Sequence, residues 1–488
     1  MADVSTLVSI VVLVTVVAMN VAAIGIIPEG RRPQTAMAWL ILIVFAPFLG
    51  LVAFLFFGSA RIGHRRHREL TAANRALERD TRYLAGQLPP DAPDYLPPIV
   101  RLNHRLASMP LTADNHVTLL PDYRESIAQM IAAVDEAQQH VNVEFYIVAL
   151  DEMTAPFFDA LDRATARGVT VRLLFDHLGT RRIPGYRDLL RRLEASDIDW
   201  HLMMPLLPLK GRFRRPDLRN HRKLLVVDDL VGFTGSLNLT HPSYDKPKNR
   251  QIGREWVELW MRLEGPVVAT IDALFAADWE LETGEVLEIT TNRVDQTPNS
   301  QHDEVGVTAQ LVPSGPGFET ENNLRLFTSL IYNARERLSL TSPYFVPDET
   351  LLYAVTTAAL RGVAVELFVS EQADQFMVGH AQASYYRELL EAGVRIWLYP
   401  KPYVLHAKHF SVDDDVAVVG TSNMDMRSFA LNYEMSVLLP DRGVVERLRR
   451  VEDERRAASR ELTLEEWRER PWRTRFVDNA MRLTATLQ

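Results

Sequence analysis

Two stretches of this chain are copies of one another, and that duplication limits the possible folds more than any other feature. The first reads NHRKLLVVDDLVGFTGSLNLT from Asn220, and the second LHAKHFSVDDDVAVVGTSNMD from Leu405. His221, Lys223, Asp228, Gly235 and Asn238 recur as His406, Lys408, Asp413, Gly420 and Asn423, every pair 185 residues apart. A repeat kept only for architecture needs to retain apolar positions; this one retains polar positions. The surrounding grammar repeats as well. Strands are predicted over 141–149 and 169–175 around a helix at 154–167, and again over 337–342 and 363–369 around a helix at 349–360. The same Arg-Gly-Val leads into the second strand of each unit, at Arg167 and at Arg361. Alternating strand and helix, given twice, predicts an α/β fold of two related units. A chain of 488 residues has ample length for both cores.

In an extended segment, residues i and i+2 point to the same face, so each His-x-Lys projects an imidazole and an ammonium into one site. The apolar runs that follow, LLVV and HFSV, bury the strand beneath them. Two copies facing one another supply two histidines, two lysines and two asparagines. That set suits an anionic, oxygen-rich centre such as a phosphodiester: cations and amides stabilise the transition-state charge. One imidazole can attack phosphorus while the other protonates the leaving oxygen. His-x-Lys is poor metal-ligand spacing because the ammonium would repel a cation, so no metal and no cofactor is expected. The absence of cysteine removes thiol catalysis, zinc ribbons and disulfide scaffolds.

The hydrophobicity is unevenly spread. Leu7–Ile27 and Ala36–Phe57 are uncharged and each about 20 residues long, enough to cross a hydrocarbon core of ~30 Å. A transmembrane hairpin over 1–60 is expected, with Pro28, Gly30 and Pro33 in its turn, and with Pro47 and Gly50 tolerated inside the second span. Arg61, Arg65, Arg66 and Arg68 follow the second span, against Arg31 and Arg32 offset by Glu29 in the loop. The balance puts the C-terminal body on the cytoplasmic side of a multi-pass protein. A basic linker is expected over 61–115, followed by domains over 116–300 and 301–460 and a helical tail over 461–488. In that tail Trp467, Trp472 and Phe476 are expected to pack on the second domain rather than face a bilayer. A formal charge of −9 argues against a general nucleic-acid binder. The approach to His221, KGRFRRPDLRNHRK, is nonetheless strongly basic. Either it draws in anionic headgroups through Arg212, Arg214 and Arg215, or it is a solvated loop.

The paired H-x-K-x4-D and G-x-x-N signatures resemble those of the phospholipase D superfamily. With the hairpin and the stretches VEFYIVALDEMTAPFFDAL, RGVTVRLLFDHLGT, VPSGPG, TSPYFVPDE and GTSNMDMRSFALNYE, the resemblance narrows to bacterial cardiolipin synthases and covers almost the whole chain. It implies two phospholipase D-like α/β sandwich domains in a pseudo-twofold arrangement, preceded by the hairpin, with one active site between them. It also implies transfer of a phosphatidyl group between two phosphatidylglycerol molecules with release of glycerol, in the bacterial inner (cytoplasmic) membrane. Carried over, His221 would be the nucleophile and His406 the general acid, although near-identical motifs leave the choice of histidine open. Lys223, Lys408, Asn238 and Asn423, helped by Ser236 and Thr421, would hold the phosphate. Asp228 and Asp413 would anchor their loops more than they touch substrate.

The resemblance further implies an acid that orients a histidine. Glu434 in LNYE fits, and Glu258 stands where the family pattern W-x-D carries Asp. The implied partners are phosphatidylglycerol and anionic membrane lipids, with no nucleic acid, and self-association into a homo-oligomer stays open. A hydrolase or a transphosphatidylase using other acceptors, a nuclease and an inactive membrane scaffold are the competing functions. The first two differ from the main reading only in the acceptor.

Overall fold

The computed structural model describes residues 4–29, 33–58, 86–207, 212–213, 215–287, 306–316, 318 and 321–483. The chain divides into two compact units, one over 1–62 and one over 63–488.

In the N-terminal unit, Val4–Ile26 is one 23-residue helix, and its stretch Thr6–Ile26 is long and apolar enough to span a bilayer. The second expected span is instead two helices, Pro33–Phe45 and Pro47–Phe57. The break falls at Ala46, whose backbone leaves the helical region (φ −137°, ψ 71°), because Pro47 has no N–H to offer the preceding turn and restricts the residue before it. Ala23, Ile27, Ala36 and Ile43 form a small buried cluster, with Trp39 edge-on to Phe54, so these helices pack on one another. Gly30, Arg31, Arg32 and the basic run from Arg61 lie outside the described residues.

The second unit is built on a continuous sheet of 15 strands. Its two central strands, Leu111–Leu120 and Val307–Ser314, run antiparallel, with Thr112 opposite Ala309. Moving outward on one side come Trp260–Glu264, Val231–Gly235, Leu224–Val227, His140–Phe145, Thr170–Asp176 and Asp199–Met203. On the other side come Glu434–Leu439, Val416–Gly420, His409–Val412, Arg337–Thr341, Ala364–Ser370 and Arg395–Tyr399, with Arg460–Leu462 added at that edge. Apart from Arg460–Leu462, which is antiparallel to its neighbour and has no counterpart on the other side, strand sense matches position for position: the outer pairs on each side are parallel and the inner ones antiparallel. The duplication in sequence is thus a duplication in topology.

One core is shared by both halves. It joins Leu224, Leu263, Val268 and Ile271 to Ala417, Val419, Leu439 and Leu448, beneath the helices Val267–Thr283 and Arg442–Ala458. Separate outer cores lie under the crossover helices Ala155–Ala166 and Glu349–Leu360. The stretch assigned to a linker behaves differently from 86 onward. Helix Leu96–Ala107 buries Leu96 and Ile99 in the outer core of the second half, and Leu111–Leu120 is a central strand.

The first strand of the first crossover stops at Phe145 rather than Ala149. Beyond it Ile147 N donates to Asn238 Oδ1 (3.3 Å) and Val148 bridges Leu239, so the chain leaves the sheet to reach the site.

Candidate active site

Each motif enters from a short buried strand: His221 and Lys223 precede Leu224–Val227, while His406 and Lys408 precede His409–Val412. The halves interlock there. His221 N donates to Tyr433 O (2.9 Å), and Tyr433 N donates back to Arg219 O (2.9 Å). Val404–Leu405 runs parallel to Trp256–Val257, and His406 N donates to Val257 O (2.8 Å). Each histidine therefore lies beside the other half's acid. His221 Nδ1 is 3.0 Å from Glu434 Oε2, and His406 Nδ1 is 2.8 and 2.9 Å from the two oxygens of Glu258. An imidazole that uses Nδ1 in this way turns Nε2 toward the reacting group.

All four basic residues of the motifs are buried. Each lysine curls back to the carbonyl of its own histidine, Lys223 Nζ to His221 O (2.6 Å) and Lys408 Nζ to His406 O (2.5 Å). An ammonium has three donors, so each retains protons for an anion. Burial pulls Lys223 down to about 7 and Lys408 down to about 8. The two acids are not equivalent. Burial pushes Glu434 up to about 7, whereas at Glu258 the opposing pull of His406 and Lys408 outweighs burial and holds the carboxyl below its ordinary value. The histidines follow suit. Burial, Lys223 and Lys408 pull His221 well below the imidazole range, while Glu258 resists the fall of His406.

The other expected site residues divide. Asn238 and Asn423 are buried at the site. Asn238 Nδ2 donates to Tyr244 Oη (2.7 Å), and Asn423 Oδ1 is buried without a hydrogen-bond partner among the described residues. Ser236 and Thr421, expected to hold phosphate, have their hydroxyls engaged behind the acids. Thr421 Oγ1 donates to Glu434 Oε2 (2.6 Å), and Ser236 Oγ is 3.2 Å from Leu259 O while accepting from Leu259 N (2.9 Å). A hydroxyl has one proton, so Thr421 has none left for substrate in this arrangement. Asp228 accepts from the amides of Gln138, Gln139 and His140 (2.7–2.8 Å), and Asp413 from those of Arg335, Glu336 and Arg337 (2.8–3.2 Å). Each carboxylate thereby fastens the neighbouring strand at the end away from its histidine.

Three residues at the site were not singled out from sequence. Tyr146 lies edge-on to His221 (ring centroids 4.8 Å), with Lys223 Nζ 5.4 Å from its ring. Arg222 Nε donates to Glu434 O (3.2 Å), and Arg455 Nη2 donates to Glu258 O (3.1 Å). Arg222 fills the x of H-x-K, but its counterpart in the second copy is Ala407, so matching the copies discards it. Arg455 sits in an Arg/Glu-rich helix that reads as a solvated face. Of the basic approach loop, Arg215 pairs with Asp217, while Lys210, Arg214 and the side chain of Arg212 lie outside the described residues.

Among the described residues one cluster has metal-ligand composition: His140, Asp229 and Asp272, with candidate atoms within 4.8 Å of one another. It lies at the far end of strand Leu224–Val227 from His221.

Residues 130–279 and 327–454 match the family model "Cardiolipin synthase, PLD-like domain", and 7–59 match "Phospholipase D-nuclease N-terminal". The chain is 34% identical over 458 residues to cardiolipin synthase A of Serratia proteamaculans, covering 93% of each chain. It is 32% identical to cardiolipin synthase A of Proteus mirabilis, covering 92% of each. The chain belongs to the phospholipase D-like cardiolipin synthase family. A solved structure of phosphatidylserine synthase from Haemophilus influenzae shares the fold, with a TM-score of 0.59 at 18% identity over 80% of this chain and 99% of that one. Members of this family are enzymes, and this one is membrane-associated through its apolar N-terminal region.

Proposed function

We propose that this enzyme is a cardiolipin synthase that moves a phosphatidyl group from one phosphatidylglycerol to the terminal glycerol hydroxyl of another, releasing glycerol. The observation that carries the reading is the crosswise pairing of two buried histidines, each with an acid from the other half. His221, neutral with its proton on Nδ1 toward Glu434, attacks phosphorus through the Nε2 lone pair. His406, whose protonated form Glu258 favours against the pull of burial, protonates the departing glycerol oxygen as the P–O bond breaks. A phosphatidyl group is then bonded to His221. The neutral His406 takes the proton of the incoming glycerol hydroxyl, whose oxygen attacks phosphorus and breaks the N–P bond. Lys223, Lys408, Asn238 and Asn423 hold the non-bridging oxygens through both displacements. Ser236 and Thr421 position the acids, Asp228 and Asp413 fix the strands, and no metal or cofactor enters a step.

The protein would sit in the bacterial inner membrane with this unit on the cytoplasmic face, as the arginine balance suggests. The broken second helix crosses with Val4–Ile26 as a hairpin in this reading. Incubating purified protein with phosphatidylglycerol labelled in its terminal glycerol tests the reaction. Cardiolipin and free labelled glycerol in equal amounts are expected. Phosphatidic acid as the main lipid product would make the protein a hydrolase instead.

A further inference from the structure

The helix Trp472–Arg482 has a packed face and an outer face of opposite character. On the inner side Asp478 is buried, with His380 Nδ1 at 2.7 Å and Arg470 Nη2 at 2.9 Å, and Met481 rests on the outer core of the second half. Trp467 does pack, against Tyr386 (5.1 Å between centroids), as the sequence led one to expect. Trp472 and Phe476 do not: both are 66% exposed, and Leu483 is 86% exposed. These three fall at i, i+4 and i+11, one stripe on the outside of the helix. Arg473 and Arg475 are exposed on the same helix, and its one acid, Asp478, points inward.

The helix Phe376–Ala383, against which this one is tied through His380, exposes Phe376 (70%) and Met377 (44%) in its first turn. Five of the eleven large apolar side chains strongly exposed among the described residues beyond 62 thus lie on these two helices. Folding gains nothing from aromatic side chains on the solvent side of a helix whose other face already packs. Aromatic rings flanked by arginines, with no outward acid, are what an anionic bilayer surface selects. The stretch leading into the patch lies near the site: the charge of Asp374, two residues before Phe376, acts on Lys408, and Ser370 Oγ accepts from Leu405 N (2.9 Å) immediately before His406.

We propose that Trp472, Phe476 and Leu483, with Phe376 and Met377, seat on the surface of an anionic bilayer and hold the mouth of the site against the headgroups it draws on. This rests on the lipid-transfer reading above. The test uses the full chain in nanodiscs, with lipids brominated along the acyl chain as quenchers of tryptophan emission. Wild type is expected to show a quenched component in phosphatidylglycerol discs that is weaker in phosphatidylcholine discs and missing in Trp472→Phe. A double change, Trp472→Ser with Phe476→Ser, is expected to lower turnover of bilayer phosphatidylglycerol at least about tenfold, given the apolar surface each ring would bury. Turnover of a short-chain, dispersed phosphatidylglycerol should stay unchanged. Emission of Trp472 that bromolipid leaves untouched would overturn the proposal, including the case where a second copy covers the patch and cross-links to it. Equal losses on both substrates would overturn it too. Quenching is read without turnover, so it still decides if the protein makes no cardiolipin.

Discussion

The two halves of the catalytic unit place the same groups at the same positions of one symmetric sheet, yet they leave those groups in different states. Glu258 grips His406 with both oxygens and is held ionised by it and by Lys408. Glu434 meets His221 with one oxygen, shares that oxygen with Thr421, and is pushed up to about 7 by burial. Duplication therefore supplies geometry, while local burial and hydrogen bonding divide the labour between nominally equal histidines. The supporting arginines make the same point. Arg222 braces the carbonyl of Glu434 and Arg455 that of Glu258, so one need is met from unrelated places in the chain.

The sharpest way to break this asymmetry is to remove each histidine. His221→Ala should leave no detectable turnover, since no other group can carry the phosphatidyl intermediate. His406→Ala should lose about 10²–10⁴-fold, the usual worth of a general acid. A phosphodiester with a p-nitrophenol leaving group needs no protonation, so release of p-nitrophenol should recover in His406→Ala and stay absent in His221→Ala. Recovery in the reverse pattern would exchange their roles.

Next come the acids. Glu258→Gln removes the charge that sustains His406 and should cost about 10²-fold. In Glu434→Gln a neutral amide replaces an acid that burial has already pushed up to about 7, and the loss should stay within about tenfold. Equal losses in the two variants would erase the distinction.

The fold and the meeting of the two motifs were legible because the constraint on them is local: polar groups at i and i+2 beside an apolar run, given twice, leave few alternatives. What was not legible depends on contacts made across the halves. Nothing near Glu258 in sequence says that it serves His406, about 150 residues away, or that Ser236 and Thr421 turn toward acids and the sheet rather than toward phosphate. Trp472 and Phe476 were misread for a related reason. A bulky aromatic in a helix is ordinarily buried, and only the packed position of Asp478 reveals that the buried face lies elsewhere.

A smaller effect concerns pH. His406 and both lysines act in their protonated forms, so kcat/KM should fall as pH rises, first as His406, held by burial below the ordinary imidazole value, loses its proton, and further near about 7 for Lys223 and about 8 for Lys408. Glu258 raises all three groups. Glu258→Gln should therefore move that alkaline limb to lower pH, while the acid limb, governed by His221 far below its ordinary range, should barely shift. A limb that stays in place would mean that Glu258 acts by position alone.

The smallest expected difference lies where the halves agree. Asp228 and Asp413 each take three backbone amides at the start of a strand, and both hold left-handed conformations, φ 54° and 48°. Asparagine tolerates that backbone but loses the charge-assisted acceptor, so Asp228→Asn and Asp413→Asn should each cost about 1–3 kcal/mol of stability and little of the chemistry. Matched losses in apparent Tm, with kcat within a few-fold of wild type below the transition, are expected from thermal unfolding in detergent. If either variant kept its Tm but lost turnover, that carboxylate would belong to the reaction after all. The symmetry would then fail at the position where the backbone contacts make it most complete.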